Sequence, residues 1–238
     1  MSTLISFPSF RCLPLALALA VGLLAGCKKD KEVPTPAPTV PVMTDIDGNV
    51  YPTITVGGMV WTSENLRTTR YKDGSTIATG LTDAAWGGTT TTNIGAYAVY
   101  NDVAANNPVY GKLYNWAAVN TGRLAPAGWH VPSQAEWNTL VSALGGFSVA
   151  GGKLKSTSAL WNAPNIGANN SSGFGGLPGG YRGTSGNYAA QGNTGYWWAS
   201  SERNSTQGDY ASLDNSFASS FSNGATKSFG YSVRCVRD

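Results

Sequence analysis

The chain has 238 residues, of which only 12% are charged, and its formal net charge is +3 at pH 7. Most of this excess lies near the start, because residues 42–238 hold 12 Lys and Arg against 11 Asp and Glu, a net charge of +1. Binding to nucleic acid needs a clustered basic face, so this composition argues against a nucleic-acid partner. The 30 glycines, together with many Asn, Ser and Thr, indicate a loop-rich extracytoplasmic domain.

Residues 1–26 have the pattern of a secretory signal peptide. Arg11 is their one charge, and the apolar run from Leu13 to Ala25 is too short for a membrane-spanning helix. The run ends in Leu24-Ala25-Gly26-Cys27, which resembles a bacterial lipobox. We therefore expect cleavage before Cys27 and attachment of lipid to its thiol. An ordinary signal peptide followed by an incidental cysteine is the alternative.

Residues 27–41 have the composition of a tether. Lys28 to Glu32 are charged, and Val33 to Pro41 are rich in proline, which favours an extended polyproline conformation. The pattern predicts an outer-membrane lipoprotein, periplasmic or exposed on the cell surface, whose membrane partner is reached through Cys27. Charged residues just after the cysteine serve some Gram-negative groups as a surface-export signal, although a solvated linker has the same composition.

Cysteine use excludes a disulfide within the domain. Cys12 leaves with the signal peptide and Cys27 carries the lipid, so Cys235 alone remains in residues 42–238. It lies in an alternating segment in which Tyr231, Val233 and Cys235 share one face and Arg234 lies on the other. We expect a buried, inert thiol; a reactive one would need an accessible, electropositive setting.

The domain, residues 42–238, begins with a turn and a hairpin. Asp45 to Asn49 read as a turn rather than a calcium loop, because the Gly and Glu positions of an EF-hand do not fit. Strands are predicted at Ile54–Val56 and Met59–Trp61, on either side of Gly57-Gly58. Residues 79–95, rich in Thr and Gly, are predicted to form a loop.

Two short helices are predicted. The first covers residues 112–119, where Leu113, Trp116 and Ala117 have helical spacing. The second begins at a capping box formed by Ser133 and Glu136 and ends at Gly145-Gly146. Its apolar face is formed by four residues at helical spacing: Trp137, Leu140, Val141 and Leu144.

Three strand-like segments close the chain, at residues 195–200, 209–213 and 229–237. The glycine-rich run at 173–182 lacks the Gly-Lys-Ser/Thr of a phosphate loop and favours turns and close packing. Two short helices among several short antiparallel strands make the predicted fold class α+β.

His130 is the one histidine and the obvious candidate for a general base. The alternative is a histidine held by packing and one backbone hydrogen bond. A Ser-His-Asp arrangement stays open, but the chain has no Gly-x-Ser-x-Gly motif, and no His/Asp/Glu cluster suggests a metal. We therefore predict no catalytic residue, no metal site and no cofactor.

The eight tryptophans suggest a different role for the surface. Exposed aromatic rings stack on sugars, although most tryptophans in such a chain are expected in the core. The predicted ligand-binding candidates are Trp86, Trp161 and Trp198. For Trp86, in the polar loop, a plug reaching back to the core is the alternative.

Several blocks together resemble one family, the Fibrobacter succinogenes major paralogous domain. In chain order they are residues 44–51, 61–66, 111–116, 128–137, 151–155, 173–182, 196–198 and 230–237. The family occurs on secreted proteins and lipoproteins, chiefly of the Fibrobacteres–Bacteroidetes group, and implies no activity. A weaker resemblance is to formylglycine-generating-enzyme-like domains, which implies a C-type-lectin-like fold with long loops carrying any function.

The sequence departs from both patterns. Where the paralogous family usually has a cysteine, which its pattern would pair with the cysteine at 235, this chain has Ala125. Formylglycine chemistry needs a cysteine pair that is absent. Trp161-Asn162-Ala163 lacks the last carboxylate of the calcium-binding motif of sugar-binding lectins.

These observations predict a lipid-anchored, extracytoplasmic recognition or adhesion module without catalytic activity. Its expected partners are the membrane and either a polysaccharide or another envelope protein. The alternatives are an envelope hydrolase or modifying enzyme that uses His130, and a purely structural envelope protein.

Overall fold

A computed structural model describes residues 41–238. The predicted signal peptide at 1–26, the lipid-attachment residue Cys27 and nearly all of the tether at 27–41 lie outside the described residues. The strands are β1 (Val42–Thr44), β2 (Val50–Val56), β3 (Met59–Thr62), β4 (Tyr97–Ala98), β5 (Leu113–Tyr114), β6 (Trp129–His130), β7 (Gly179–Arg182), β8 (Tyr188–Gln191), β9 (Thr194–Asn204), β10 (Gln207–Asp214), β11 (Ser220–Thr226) and β12 (Val236–Arg237). The helices are α1 (Asp83–Gly87), α2 (Thr89–Thr92), α3 (Asn106–Tyr110), α4 (Trp116–Asn120), α5 (Gln134–Ala143) and α6 (Phe147–Leu154).

The strands form two five-stranded sheets and one small pair. The first sheet has the order β1-β2-β3-β12-β6, so β12, from the C-terminal part of the domain, lies between β3 and β6. The second has the order β11-β10-β9-β7-β8, and β4 pairs with β5. All pairs are antiparallel except β7 with β9. The domain is thus mixed α/β, with mostly antiparallel sheets and few helices.

Local turn chemistry explains the first hairpin. Val56 pairs with Met59, which leaves Gly57 and Gly58 as a two-residue loop with φ of +62° and +77°. Positive φ at both positions is the mark of a turn that matches strand twist, and glycine adopts it without strain. The predicted hairpin is confirmed.

The Asp45–Asn49 turn is also confirmed. One Asp45 carboxylate oxygen accepts hydrogen bonds from the backbone N–H groups of Asp47 and Asn49, and the other accepts from the Tyr51 hydroxyl at 2.6 Å. The Asp47 carboxylate accepts from Thr69 and Arg70. Both carboxylates are therefore used by protein donors, and residues 41–238 contain no group of acidic, His or Cys side chains able to hold a metal.

Helix α5 follows the sequence closely. Ser133 Oγ accepts a hydrogen bond from the Glu136 backbone N–H, and the Glu136 carboxylate accepts one from the Ser133 N–H at 2.7 Å. Trp137, Leu140 and Val141 are buried beneath it. Its end is followed by two glycines at positive φ. Start, apolar face and stop all agree with prediction.

The other predicted helix is only half right. Leu113 and Tyr114 form β5, because they pair with Ala98 and Tyr97, and Tyr114 also bridges to Tyr231. The helix begins after Asn115, whose side chain accepts a hydrogen bond from the Ala118 N–H at 3.0 Å. Tertiary strand pairing overrides the helical spacing of the preceding residues.

Some helices were not predicted. The loop expected at residues 79–95 contains the one-turn helices α1 and α2. Helix α6 includes Gly151 and Gly152, which have low helix propensity and so conceal the helix in the sequence. Both glycines are buried. A Cβ on Gly151 would meet Ser219 O between β10 and β11, and a Cβ on Gly152 would meet Gly167 O, so neither position has room for a larger residue.

Two large hydrophobic clusters form the core. One packs α5 and α6 against β3, β9 and β10 and contains the aromatic contacts among Trp61, Trp137, Phe174 and Trp197. The other is built around Trp198 and Tyr231, whose ring centroids lie 4.5 Å apart. The aromatic residues thus fill the space between the sheets and the helices.

Candidate functional site

The three tryptophans predicted to bind ligand are buried. Trp86 and Trp198 are 0% exposed, and Trp161 is 5% exposed. Trp198 Nε1 donates to Tyr114 O at 2.8 Å and Trp161 Nε1 donates to Gly176 O at 3.0 Å, while the Arg182 guanidinium lies 4.5 Å from the Trp86 ring. The prediction that these rings are exposed stacking platforms is wrong, because each of them belongs to a buried hydrophobic cluster. For Trp86, the alternative of a core plug is confirmed.

His130 is held between two carboxylates. Its Nδ1 lies 2.7 Å from Asp238 Oδ1, and its Nε2 lies 2.8 Å from Glu136 Oε1. Burial lowers the pKa of the imidazole, but the hydrogen bonds and charges of the two carboxylates outweigh burial and raise it. Since a carboxylate only accepts, the two contacts favour the protonated ring, in which both nitrogens donate.

This geometry bears directly on His130 as a general base. Ser133 Oγ donates to Glu136 Oε2 at 2.8 Å and makes no hydrogen bond to the imidazole among the described residues. The His130 ring instead links the N-terminus of α5 to the end of the first sheet. In this arrangement the His130 side chain connects two elements through its contacts with Glu136 and Asp238.

Replacing His130 with glutamine should therefore change stability in a pH-dependent way. The folded pKa lies above the unfolded value of about 6.5, so the charged pairs contribute fully below that pH and are lost as pH rises through the folded pKa. The side chain is 40% exposed, which limits the effect to about 0.5 kcal/mol. Urea denaturation should show a larger loss in His130→Gln at pH 5.5 than at pH 8.5; equal losses would contradict the charged state.

Cys235 is buried, as predicted. It is 0% exposed, and burial raises the pKa of its thiol, so the reactive alternative does not fit. Ala125 is also buried and belongs to the same cluster as Cys235. The family resemblance places the partner cysteine at this position, and here apolar packing takes its place.

A polar cleft lies on another part of the domain. It has a volume of about 270 Å³. Its walls come from the segment after β3, the end of α3, the glycine-rich loop and the segment before β12. Its lining includes the side chains of Ser63, Glu64, Arg67, Ser156, Leu177 and Arg234. Four of the sequence blocks that carry the family resemblance therefore meet at one concave surface.

An ion pair forms the rim of the cleft. Arg67 Nη1 lies 2.7 Å from Glu64 Oε2, and the Arg67 guanidinium lies 4.7 Å from the Tyr51 ring centroid. The Glu64 side chain is 45% exposed and that of Arg67 is 17% exposed. Arg67 is therefore oriented by its neighbours, whereas Glu64 remains in contact with solvent.

Asn65 joins the walls of the cleft from beneath. Its Oδ1 accepts from Trp197 Nε1 at 2.8 Å and from Arg234 Nε at 2.6 Å. Its Nδ2 donates to Tyr110 O at 2.8 Å and to Ser232 Oγ at 3.2 Å. All of its amide hydrogen-bonding capacity is used, so this buried side chain fixes the positions of three distant segments.

Arg234 forms the floor of the cleft. It is 1% exposed, and its Nη1 donates to Thr62 O at 2.9 Å and Phe174 O at 3.0 Å. Its guanidinium carbon lies 4.3 Å from the Phe174 ring centroid. Burial lowers the pKa of the guanidinium, while the charge of Glu64 raises it. A buried cation thus borders an open polar space.

The sequence did not single out Arg234, Asn65 or Glu64 as site residues. Arg234 alternates with apolar neighbours, a pattern that suggests a solvent-facing side chain in a half-buried strand. In the structure the glycine-rich loop covers Arg234, and this loop is more than 50 residues away in the sequence. The residues next to Arg234 in the sequence therefore do not show that its side chain is buried.

No helix in residues 41–238 has the length and apolar content needed to cross a membrane.

The fold and cleft define a class: a mixed α/β domain of mainly antiparallel sheets, with a polar cleft made by loops. The family model described as the Fibrobacter succinogenes major domain matches residues 54–237. The chain belongs to this family, as the sequence blocks indicated. No curated protein and no solved structure gave a significant match.

Proposed function

We propose that this chain is a non-catalytic recognition module, held at the outer membrane by a lipid on Cys27, that binds extracellular polysaccharide through the cleft floored by Arg234. The observation that carries the proposal is the cleft itself. It combines hydroxyl groups, backbone groups and charged side chains with apolar side chains, the mixture that orients small polar ligands.

The arrangement of His130 favours recognition over hydrolysis. Both imidazole nitrogens face carboxylates, which favour the protonated ring over the neutral ring that a general base requires. The cleft lies among other residues, and His130 does not line it. His130 lines a different cavity, of about 180 Å³, whose other lining is mostly apolar and includes Ser200 as its one hydroxyl side chain. That cavity offers an enzyme fewer convergent polar groups than the cleft above Arg234.

We further propose that the domain has a C-type-lectin-like fold. Two features support this. Strand β12 pairs with β3 and β6, so that segments from the beginning and end of the domain share a sheet. Long loops outside the sheets then build the cleft. Both features are what the resemblance to formylglycine-generating-enzyme-like domains leads us to expect.

The lipid anchor rests on the sequence. The apolar run, the Leu-Ala-Gly-Cys motif and the proline-rich segment occur in the order that a tethered lipoprotein requires. A tether of this kind would hold the domain away from the membrane, where envelope or extracellular polymers are within reach. Treatment of intact cells with external protease, described below, would show on which side of the outer membrane the domain lies.

One experiment separates the anchor from recognition. The full chain and its Cys27→Ser variant would be expressed in a Gram-negative host and fractionated; we expect the first in membranes and the second in the soluble fraction. Cells carrying the full chain, with and without external protease, would then be tested for binding to an array of neutral and acidic polysaccharides. Equal fractionation of both chains would overturn the anchor. Failure to bind any polysaccharide would overturn recognition of sugars and leave the structural-protein alternative.

A further inference from the structure

The floor of the cleft carries an unused hydrogen-bond donor. Arginine has five N–H donors, and in Arg234 one on Nε and two on Nη1 have close acceptors. Nη2 makes a single long contact, 3.4 Å to Gly175 O, and Gly175 itself lines the cleft. Among residues 41–238, the remaining N–H of Nη2 therefore has no acceptor, although Arg234 is only 1% exposed.

The charge of Arg234 is also uncompensated within the described residues. No carboxylate there lies within 4.0 Å of its guanidinium. Glu64, the acidic residue that lines the cleft, is already paired with Arg67. The three charged side chains together leave the cleft with one net positive charge. Buried charges are normally paired, so this one points to an absent anion.

We propose that the cleft binds the carboxylate of an acidic sugar, with that carboxylate accepting from Arg234 Nη2. The inference rests on the proposed recognition function and names its ligand class. A carboxylate is a planar monoanion that matches both the single net charge and the geometry of a guanidinium edge. A partly desolvated site makes such a hydrogen bond stronger than it would be in water.

The rest of the lining favours a sugar ring over an acidic peptide. Ser63 Oγ donates to Pro52 O, which leaves its lone pairs to accept from a ligand hydroxyl. Ser156 Oγ accepts from the Ser158 N–H, which leaves its own O–H to donate. Leu177 supplies an apolar surface beside these groups. Donors and acceptors beside a small apolar surface suit a sugar ring with several hydroxyl groups. The volume of the cleft, about 270 Å³, is near the lower end of the volumes of ligand sites.

The experiment uses paired ligands that differ only in the carboxylate. The full chain in detergent would be titrated by calorimetry with tetragalacturonate and with the same oligosaccharide after reduction of its carboxyl groups. We expect binding of the acidic form that weakens as salt is raised, and at least tenfold weaker binding of the reduced form.

A variant at the rim tests the charge argument without disturbing the core. Glu64→Gln removes the negative charge and releases Arg67, so we expect about fivefold tighter binding of tetragalacturonate. Glu202→Gln is the matched control, because Glu202 is exposed, paired with Lys227 and outside the cleft lining; it should leave affinity unchanged. Arg234→Lys should abolish binding, but its loss of packing contacts makes the Glu64 variant the decisive one.

The possible outcomes distinguish binding of a carboxylate from recognition of polysaccharide in general. Equal binding of the acidic and reduced oligosaccharides would overturn the carboxylate and keep polysaccharide recognition. An acidic peptide would be titrated as a third probe. If it binds and neither oligosaccharide does, the assignment of the ligand as a sugar is overturned. Binding of the acidic form alone, with affinity unaffected by Glu64→Gln, would overturn the assignment to this cleft. Binding of neither oligosaccharide would overturn this inference, whereas recognition of sugars in general is overturned only if the array of neutral and acidic polysaccharides also shows no binding.

Discussion

Lys155→Met is expected to lower the free energy of unfolding by about 3 kcal/mol. Lys155 is 0% exposed, and its Nζ donates to Ile166 O, Asp214 O and Phe217 O at 2.7–2.8 Å. All three ammonium donors are thus used. Methionine keeps the volume of the stem but leaves three carbonyls without this partner, each loss being worth about 1–3 kcal/mol. Relief from burying the charge offsets part of the cost.

The measurement for Lys155 is denaturant unfolding followed by tryptophan fluorescence. The midpoint should fall with little change in slope, as expected for a change in stability alone. Lys153→Met is the matched control, because Lys153 lies two residues earlier in α6, is only partly buried and makes no hydrogen bond through its side chain among the described residues. It should change stability by no more than about 0.5 kcal/mol. Equal losses in the two variants would show that the three carbonyl contacts contribute little.

Lys155 also connects stability to the candidate site. Its three acceptors lie in the loop after α6, at the last residue of β10 and in the turn that follows β10. The adjacent residue, Ser156, lines the cleft. A loss of the Lys155 contacts would therefore loosen one wall of the cleft as well as the core. In Lys155→Met, ligand affinity and stability should both decrease.

Local signals were sufficient for part of the fold. Helix α5 could be predicted because its cap, apolar face and glycine stop lie within 14 residues of chain. The hairpin at Gly57-Gly58 could be predicted for the same reason, since a two-residue turn specifies its own register. In both cases the interactions that decide the structure are close neighbours in sequence.

The candidate site could not be predicted in this way. Its central contact joins Asn65 to Arg234, which are 169 residues apart. Trp86 lies in a segment rich in Thr and Gly, which is typical of an exposed loop. In the structure, however, Trp86, Trp161 and Trp198 all belong to buried hydrophobic clusters. Burial of this kind depends on which loops fold over a residue, and composition near that residue does not report it.

Helix α6 contains two glycines, which conceal the helix in the sequence but allow a close approach to neighbouring backbone. A Cβ on Gly151 would lie 2.1 Å from Ser219 O and 2.7 Å from Ala218 O, both backbone atoms. The next residue, Gly152, donates its N–H to Ala218 O at 2.8 Å. The helix therefore packs directly against the backbone that leads into β11. The same glycines that lower helix propensity make this contact possible.

Gly151→Ala should destabilise the domain by about 3 kcal/mol, although alanine is the better helix former by about 1 kcal/mol. The added methyl group cannot be accommodated by a side-chain rotation, since the atoms it meets belong to the backbone. Either α6 or the β10–β11 turn must move, and both carry contacts of Lys155. The loss should appear as a lower denaturation midpoint.

Gly88→Ala is the matched control for the glycine prediction. Gly88 has φ of −69°, and the nearest atoms to an added Cβ, Ala84 O and Ala85 O, are both at 3.5 Å, an ordinary contact distance. With no clash and a chain that is less flexible when unfolded, alanine there should be neutral or stabilise by up to about 1 kcal/mol. A Gly151→Ala midpoint equal to that of Gly88→Ala would mean that α6 is free to move away from Ser219. The close approach between helix and strand would then make no measurable contribution to stability.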